Sequence, residues 1–436
     1  MPFGAEGFGN VRGGGKFVLV PLSVVERERI ASKAVAPREG KARGGIKSAT
    51  QQTHCFWEVS HRRFSIIIAG STLRIRFLTS TPLDIKRGSG TYAGIHGLAE
   101  ALEKLGHTIA YETPRRHFAN YTLERLVFNQ SLRRSDEFDL TTGFDMDGYR
   151  IASGAPHVAS LKGVIADEVR FESGVTRLTM SIQARCERAH VNRAALVLAT
   201  SKYSGQRAME FYGLHQMPAI VPELIDLTEW RRILAEHPAK SRGSTLLFVG
   251  RFYHRKRVPV LLRAAALLRQ RLPELRVRIV GNGPCNVAWR ALARELLLDD
   301  VVTWLGDISR GQLAEEYNGA DAFCLPSVQE GFGIVLLEAM AAGKPIVAAR
   351  AAAIPEVAPH AVLVEPDNAE ALAAGIERVF ESPPAPAEWV QRFDAPVVAR
   401  QFLAAVSGVT RGSQPELSEC QDCGGRPQVH RRASQG

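Results

Sequence analysis

Long apolar runs are scarce at the start of this 436-residue sequence: "FVLVPLSVV" and "FSIIIAG" each hold fewer than a dozen residues. A helix needs roughly 20 such residues to cross a bilayer, so no transmembrane helix is expected and the chain is read as cytoplasmic. Cysteine is sparse too. Cys55, Cys186, Cys285, Cys324, Cys420 and Cys423 show no spacing of a disulfide framework, which suits a reducing compartment. Cys420 and Cys423 form a lone C-x-x-C in a polar tail, two ligands short of a structural zinc site. Acids are outnumbered, 45 Asp and Glu against 55 Lys and Arg, for a formal charge of +10. Residues 1–72 alone hold 11 Lys and Arg against 5 Asp and Glu, so the body that follows is only mildly basic.

Residues 1–72 carry "VRGGGK" and "KARGGIK" and no sustained period, the pattern of a disordered basic extension. Such an arm could bind nucleic acid, but it lacks interleaved aromatics, and no nucleic-acid partner is expected. Order begins at "LRIRFLTSTP". Helical "GTYAGIHGLAEALEKLG" follows, then strands in "HTIAYETP", "FDLTTGF" and "PHVASLKG", a long helix from about Asp167 to Asn192, strand "AALVLATS" and helical "SGQRAMEFYG". After a polar connector, "TEWRRILAEHPAKSRGS", a second series runs from "TLLFVG" to "NAEALAAGIERVF". Two runs of alternating strand and helix predict an α/β fold with two doubly wound parallel sheets, because parallel strands need helical crossovers. The expected layout is residues 73–225 as a first Rossmann-like domain and 226–385 as a second. Residues 386–410 would form a C-terminal helix returning to the first domain, and 411–436 a disordered tail.

Ligands in such sheets collect at the carboxyl ends of strands, and four stretches fall there. Gly88, Ser89 and Gly90 open the first helix, where free N–H groups favour an anion or a sugar. In "GRFYHRK", Arg251 follows a strand and Lys256 lies five residues on; a planar fork and a point charge together suit a diphosphate. "VGNGPC" makes a glycine turn. "EGFGIVLLEAMAAGK" places Glu330 on a loop and Glu338 inside an almost wholly apolar helix. A buried carboxylate needs donors: ribose hydroxyls, a neighbouring Arg or backbone amides would serve.

The ordered set G-S-G-T-Y, "ALEKLGH", "VPELIDLTEW", "GRFYHRK", "GNGP", "LGDISRGQLAEEYNGADAFCLPS" and E-G-F-G-x4-E resembles the retaining GT-B glycosyltransferases of family 4 over residues 73–410. That resemblance implies two Rossmann-like domains facing across a cleft. It also implies hexosyl transfer from a UDP- or GDP-sugar, with no cofactor and no metal, to a saccharide, lipid-linked or small-molecule acceptor. Glu330, with backbone groups of Gly331, Phe332, Gly333 and Ile334, would meet the sugar, and Glu338 would hold the ribose. Arg251 and Lys256 would neutralise the departing diphosphate, and Gly88, Ser89 and Gly90 would lie near it. Peripheral association with a membrane surface is compatible with the mildly basic first domain.

The sequence departs from that pattern where many family members carry a His after the strand of "HVASLKG": the matching position holds Lys162, read as a cation near the donor, while His157 precedes the strand and is read as structural. Asp145 and Asp147 in "GFDMDGY" have D-x-D spacing and are read as a turn with side-chain hydrogen bonds. Asp167, Glu168 and Glu172 are read as first-turn acids that complement a helix dipole. A nucleotide-sugar epimerase of the same architecture is the alternative reading, followed by nucleic-acid binding through the basic arm.

Overall fold

The computed structural model describes residues 72–81, 90–153 and 156–410, all within one compact unit. Gly88, Ser89, the extension, the tail and the C-x-x-C pair lie outside the described residues. Twelve strands form two six-stranded sheets, and every pairing within them is parallel. The first contains β1 (Arg74–Leu78), β2 (Thr108–Glu112), β3 (Leu140–Phe144), β4 (His157–Leu161), β5 (Leu196–Ala199) and β6 (Ala219–Ile220), in the order β2-β1-β3-β4-β5-β6. The second contains β7 (Thr245–Val249), β8 (Arg276–Val280), β9 (Val302–Gly306), β10 (Ala322–Leu325), β11 (Ile346–Ala349) and β12 (Val362–Val364), in the order β12-β11-β10-β7-β8-β9.

Helices cover both faces, so central strands are buried throughout: β3, β4, β10 and β11 have no exposed residue. That is why their sequences read as continuous runs rather than alternations. Ile75, Phe77, Phe144 and Val158 centre one core, and Leu247, Phe248, Ile279 and Phe323 the other. In each sheet the strand order reverses beside the first strand, at β1/β3 and at β7/β10. Crevices at the carboxyl ends of strands open at such points.

Four local expectations change. The "polar connector" contains a helix, Leu227–Glu236, capped by the Asp226 carboxylate accepting from Glu229 N. Its buried Leu227, Trp230 and Ile233 form a one-faced stripe in an otherwise charged segment. A helix at Tyr121–Ser131, capped by Asn120, fills a stretch with no earlier assignment. The long helix expected from Asp167 is broken: Ile165–Glu168 and a 3-10 turn come first, then Gly174–Val191. Ser173 is extended and Gly174 has φ +55°, so the chain turns and starts a new helix. His157 begins β4 instead of preceding it. At the C-terminus, helix Ala395–Val406 packs Val398, Ala399 and Phe402 into the first sheet's core, against the helix Gly90–Lys104. The chain therefore crosses from the second sheet back to the first, and Ile225 N and Ala395 N exchange hydrogen bonds with Phe393 O and Ile225 O at that crossing.

Candidate functional site

A cleft of about 720 Å³ lies between the carboxyl ends of the two sheets. Arg251, Lys256, Glu330, Gly331, Phe332, Gly333 and Ile334 line it from the second sheet, and Gly90 and Lys162 from the first. Chain positions as far apart as 90 and 335 thus converge at one place.

The cation loop follows β7. Two glycines of "VGNGPC" let the neighbouring backbone press against it: a side chain at Gly281 would strike the Gly250 carbonyl, and one at Gly283 the Phe252 backbone. Gly281 also has φ +117°, a conformation open to glycine. Phe252 N donates to Asn282 O at 2.9 Å, so the glycine turn braces the Arg251 segment. A 3-10 turn, His254–Lys256, then points Lys256 towards the loop after β10. Lys256 Nζ donates to Glu330 Oε1 at 2.6 Å, with only 13% and 9% of the two side chains exposed. Val328 N donates to Arg255 O at 2.9 Å and fastens the two loops together.

Glu330 leads into Gly333, whose φ of +91° starts the helix Ile334–Ala341. Beside that start lies a second one, Gly90 of the helix Gly90–Lys104, where an added Cβ would sit 3.7 Å from Ile334 Cδ1. The Phe332 ring packs edge-on to Phe393 at 5.6 Å. Glu338 does not line the cleft. Its carboxylate accepts from Tyr317 Oη at 3.1 Å, and burial raises its pKa, opposed by the Arg310 charge and the Tyr317 bond. The donor the fold supplies is a tyrosine hydroxyl, which was not among those considered from sequence.

Across the cleft, Lys162 Nζ donates to Glu223 Oε2 at 2.9 Å, with side-chain exposures of 7% and 4%. Lys162 Nζ also lies 5.6 Å from the Phe144 ring centroid. Glu223 is held against the helix Gly90–Lys104, where any side chain at Gly94 would collide with its carboxylate. Sequence inspection passed over Glu223, though it is an acid within "VPELIDL". The two residues of the D-x-D stretch separate. Asp147 is a buried pin that accepts from Ser80 N, Ser80 Oγ and Asn129 Nδ2 at 2.7, 2.6 and 3.0 Å. Asp145 reaches the cleft. Glu168 and Glu172 are also more than dipole partners, since Arg255 approaches them from the second sheet at 3.5 and 3.9 Å. Asp167 is buried and accepts from Tyr203 Oη at 2.7 Å.

The two sheets meet at Gly331. Its carbonyl accepts from Ser201 Oγ at 2.7 Å, Ser204 Oγ at 2.9 Å and Thr200 Oγ1 at 3.3 Å. A side chain at Gly331 would press on the Lys162 carbonyl and Gly163, so this position requires glycine. Glu356 caps the helix Lys202–Tyr212 from the other sheet, with Lys202 N 3.0 Å from each carboxylate oxygen.

Residues 231–393 match the family model described as Glycosyl transferases group 1. A D-inositol 3-phosphate glycosyltransferase of Pseudarthrobacter chlorophenolicus is 32% identical over 208 residues, 44% of this chain and 49% of the relative. The chain thus spans about half the length of that relative. A phosphatidyl-myo-inositol mannosyltransferase of Mycobacterium tuberculosis is 27% identical over 76% of this chain and 96% of its own. In structure, Anabaena HepE in complex with UDP and glucose superposes with a TM-score of 0.58 at 18% identity, covering 77% of this chain and all of that one. At that identity the likeness speaks for the fold.

Proposed function

We propose that this chain, which belongs to the group 1 glycosyltransferases of GT-B fold, transfers a hexosyl group from a nucleoside-diphosphate sugar to a hydroxyl acceptor with retention at the anomeric carbon. One observation carries the reading: Arg251 and the Lys256–Glu330 pair stand at the carboxyl ends of β7 and β10 and line one cleft with two neighbouring helix starts, Gly90 and Ile334. Two cations and two helix starts lining one cleft suit a diphosphate better than any neutral ligand.

The physical demand of the reaction is the charge that gathers on the diphosphate as the C1–O bond breaks. Groups already aimed at that charge lower the barrier without reorganising. Arg251 and Lys256 supply positive charge, and Glu330 keeps Lys256 in place while its second oxygen and the Gly331–Gly333 backbone address the sugar. Glu338, outside the cleft lining, would hold a ribose hydroxyl only by exchanging the Tyr317 hydroxyl for it or sharing it. Retention follows if the acceptor hydroxyl attacks from the diphosphate side, its proton passing to the departing phosphate oxygen. The protein supplies no nucleophile in this scheme. The relatives named for inositol phosphate and phosphatidylinositol substrates support a polyol acceptor.

Thermal shift against a panel of UDP- and GDP-sugars tests the reading, since a ligand of the native state raises apparent stability. At least one donor should stabilise the protein, and Arg251→Ala should abolish the shift. A flat panel would overturn the proposal. Incubation with donor alone separates an epimerase, which would change the sugar without an acceptor.

A further inference from the structure

Asp145 lies on the cleft wall with one carboxylate oxygen that, among the described residues, has no hydrogen-bond partner. It follows β3 directly, at a carboxyl end, and adopts φ +52°. Non-glycine residues enter that region at a cost, Asn and Asp most readily. The turn is held open by neighbours: Lys162 N donates to Asp145 Oδ1 at 2.8 Å, and the His190 ring bonds the Asp145 carbonyl. Among the described residues Oδ2 takes no hydrogen bond. Burial pushes the Asp145 pKa up to about 6, against the opposing charge of Arg125.

The position matters because of what lies opposite. Lys162, whose amide binds Asp145, presents its carbonyl to Gly331 of the sugar-facing loop. Lys162's own charge is answered by Glu223. Asp145 is therefore one residue contact away from the Glu330–Gly333 loop, on the wall an acceptor must occupy to reach the anomeric carbon. Beside apolar Val175 and Met180 and charged Arg125, that wall also carries Thr81, Tyr121 and Thr179, whose hydroxyls can exchange hydrogen bonds with a polyol.

We propose that the Asp145 carboxylate binds a hydroxyl of a sugar or polyol acceptor through Oδ2 and so orients it towards the donor. This inference rests on the transferase reading. Asp145 removes no proton here: the acceptor O–H donates to the carboxylate on binding, and in the transfer the new O–C1 bond forms, the C1–O(phosphate) bond breaks and the proton goes to the departing phosphate.

Asp145→Asn tests it with little risk to folding, because Asn tolerates positive φ and its amide oxygen can keep the Lys162 N–H bond; Asp145→Ala is the second variant. The probes are myo-inositol and methyl α-D-mannopyranoside, observed by saturation-transfer NMR in the presence of the stabilising nucleotide sugar. Probe signals should appear with the unaltered protein and fall at least about fivefold in both variants, while the nucleotide-sugar thermal shift is unchanged. Equal signals in the variants, or none with the unaltered protein, overturn the assignment and leave the transferase reading standing. A flat nucleotide-sugar panel overturns both.

Discussion

Lys162 Nζ and Glu223 Oε2 stand 2.9 Å apart, each side chain more than nine-tenths withdrawn from water, on the wall opposite the cation loop. Breaking a buried ion pair from one side leaves a bare charge in a poor solvent. Glu223→Gln should therefore destabilise the protein by about 3 kcal/mol, seen as a lower urea midpoint. The double variant Lys162→Met with Glu223→Leu should recover most of that loss yet transfer sugar poorly. If it is fully active, the pair is packing only.

The cation loop makes a prediction about rate. Lys256→Ala should lower kcat/KM by about 10²–10³ fold, because the charge it meets develops as the bond breaks. Lys256→Arg should restore part of it. Steady-state kinetics with the donor found in the panel provide the measurement, and an unchanged kcat would remove Lys256 from the chemistry.

Glu356 predicts a local effect. It caps the helix Lys202–Tyr212 from the second sheet's side, and replacing such an acceptor by Ala costs about 1 kcal/mol. Glu356→Ala should speed amide hydrogen exchange at Lys202 and Tyr203 more than at the centre of β5. Uniform acceleration would point to global destabilisation.

A buried histidine predicts a pH dependence. His190 is fully buried, with Nε2 2.8 Å from His157 Nε2, and desolvation lowers its pKa to about 4. The unfolded chain, with a histidine near 6.5, binds the proton first, so this contribution is complete above about pH 6.5 and is lost as pH falls towards 4. The shift corresponds to roughly 3 kcal/mol. Asp145 and Glu187, whose pKa values burial raises, act in the opposite sense, so total stability is a poor readout. The difference between the unaltered protein and His190→Gln, measured by urea unfolding at pH 7 and pH 4.5, should shrink by most of that amount on acidification.

Much of the fold was legible because buried parallel strands are continuous apolar runs and their helices carry clear stops. Arg251, Lys256 and Glu330 were legible for a related reason, as polar residues set where an apolar strand ends. The helix Leu227–Glu236 escaped because its apolar face is only three residues among charges. The helix Tyr121–Ser131 escaped because the arginine and asparagine of its buried face are satisfied by distant partners: Arg125 binds Gln183 and Asp147, and Asn129 binds Asp147 and Gly148 N.

The amino-acid order alone determined where strands end, which turns need glycine and which cations stand at a sheet lip, since each depends on neighbours within a few residues. It could not assign Lys162 to Glu223, 61 positions away, or Lys256 to Glu330, 74 away. It could not bring three hydroxyls to the Gly331 carbonyl or give Glu338 the Tyr317 hydroxyl as its donor. Those choices belong to the tertiary structure, because the strength and partner of a polar group depend on how deeply it is buried and on which distant loop the sheets deliver to it.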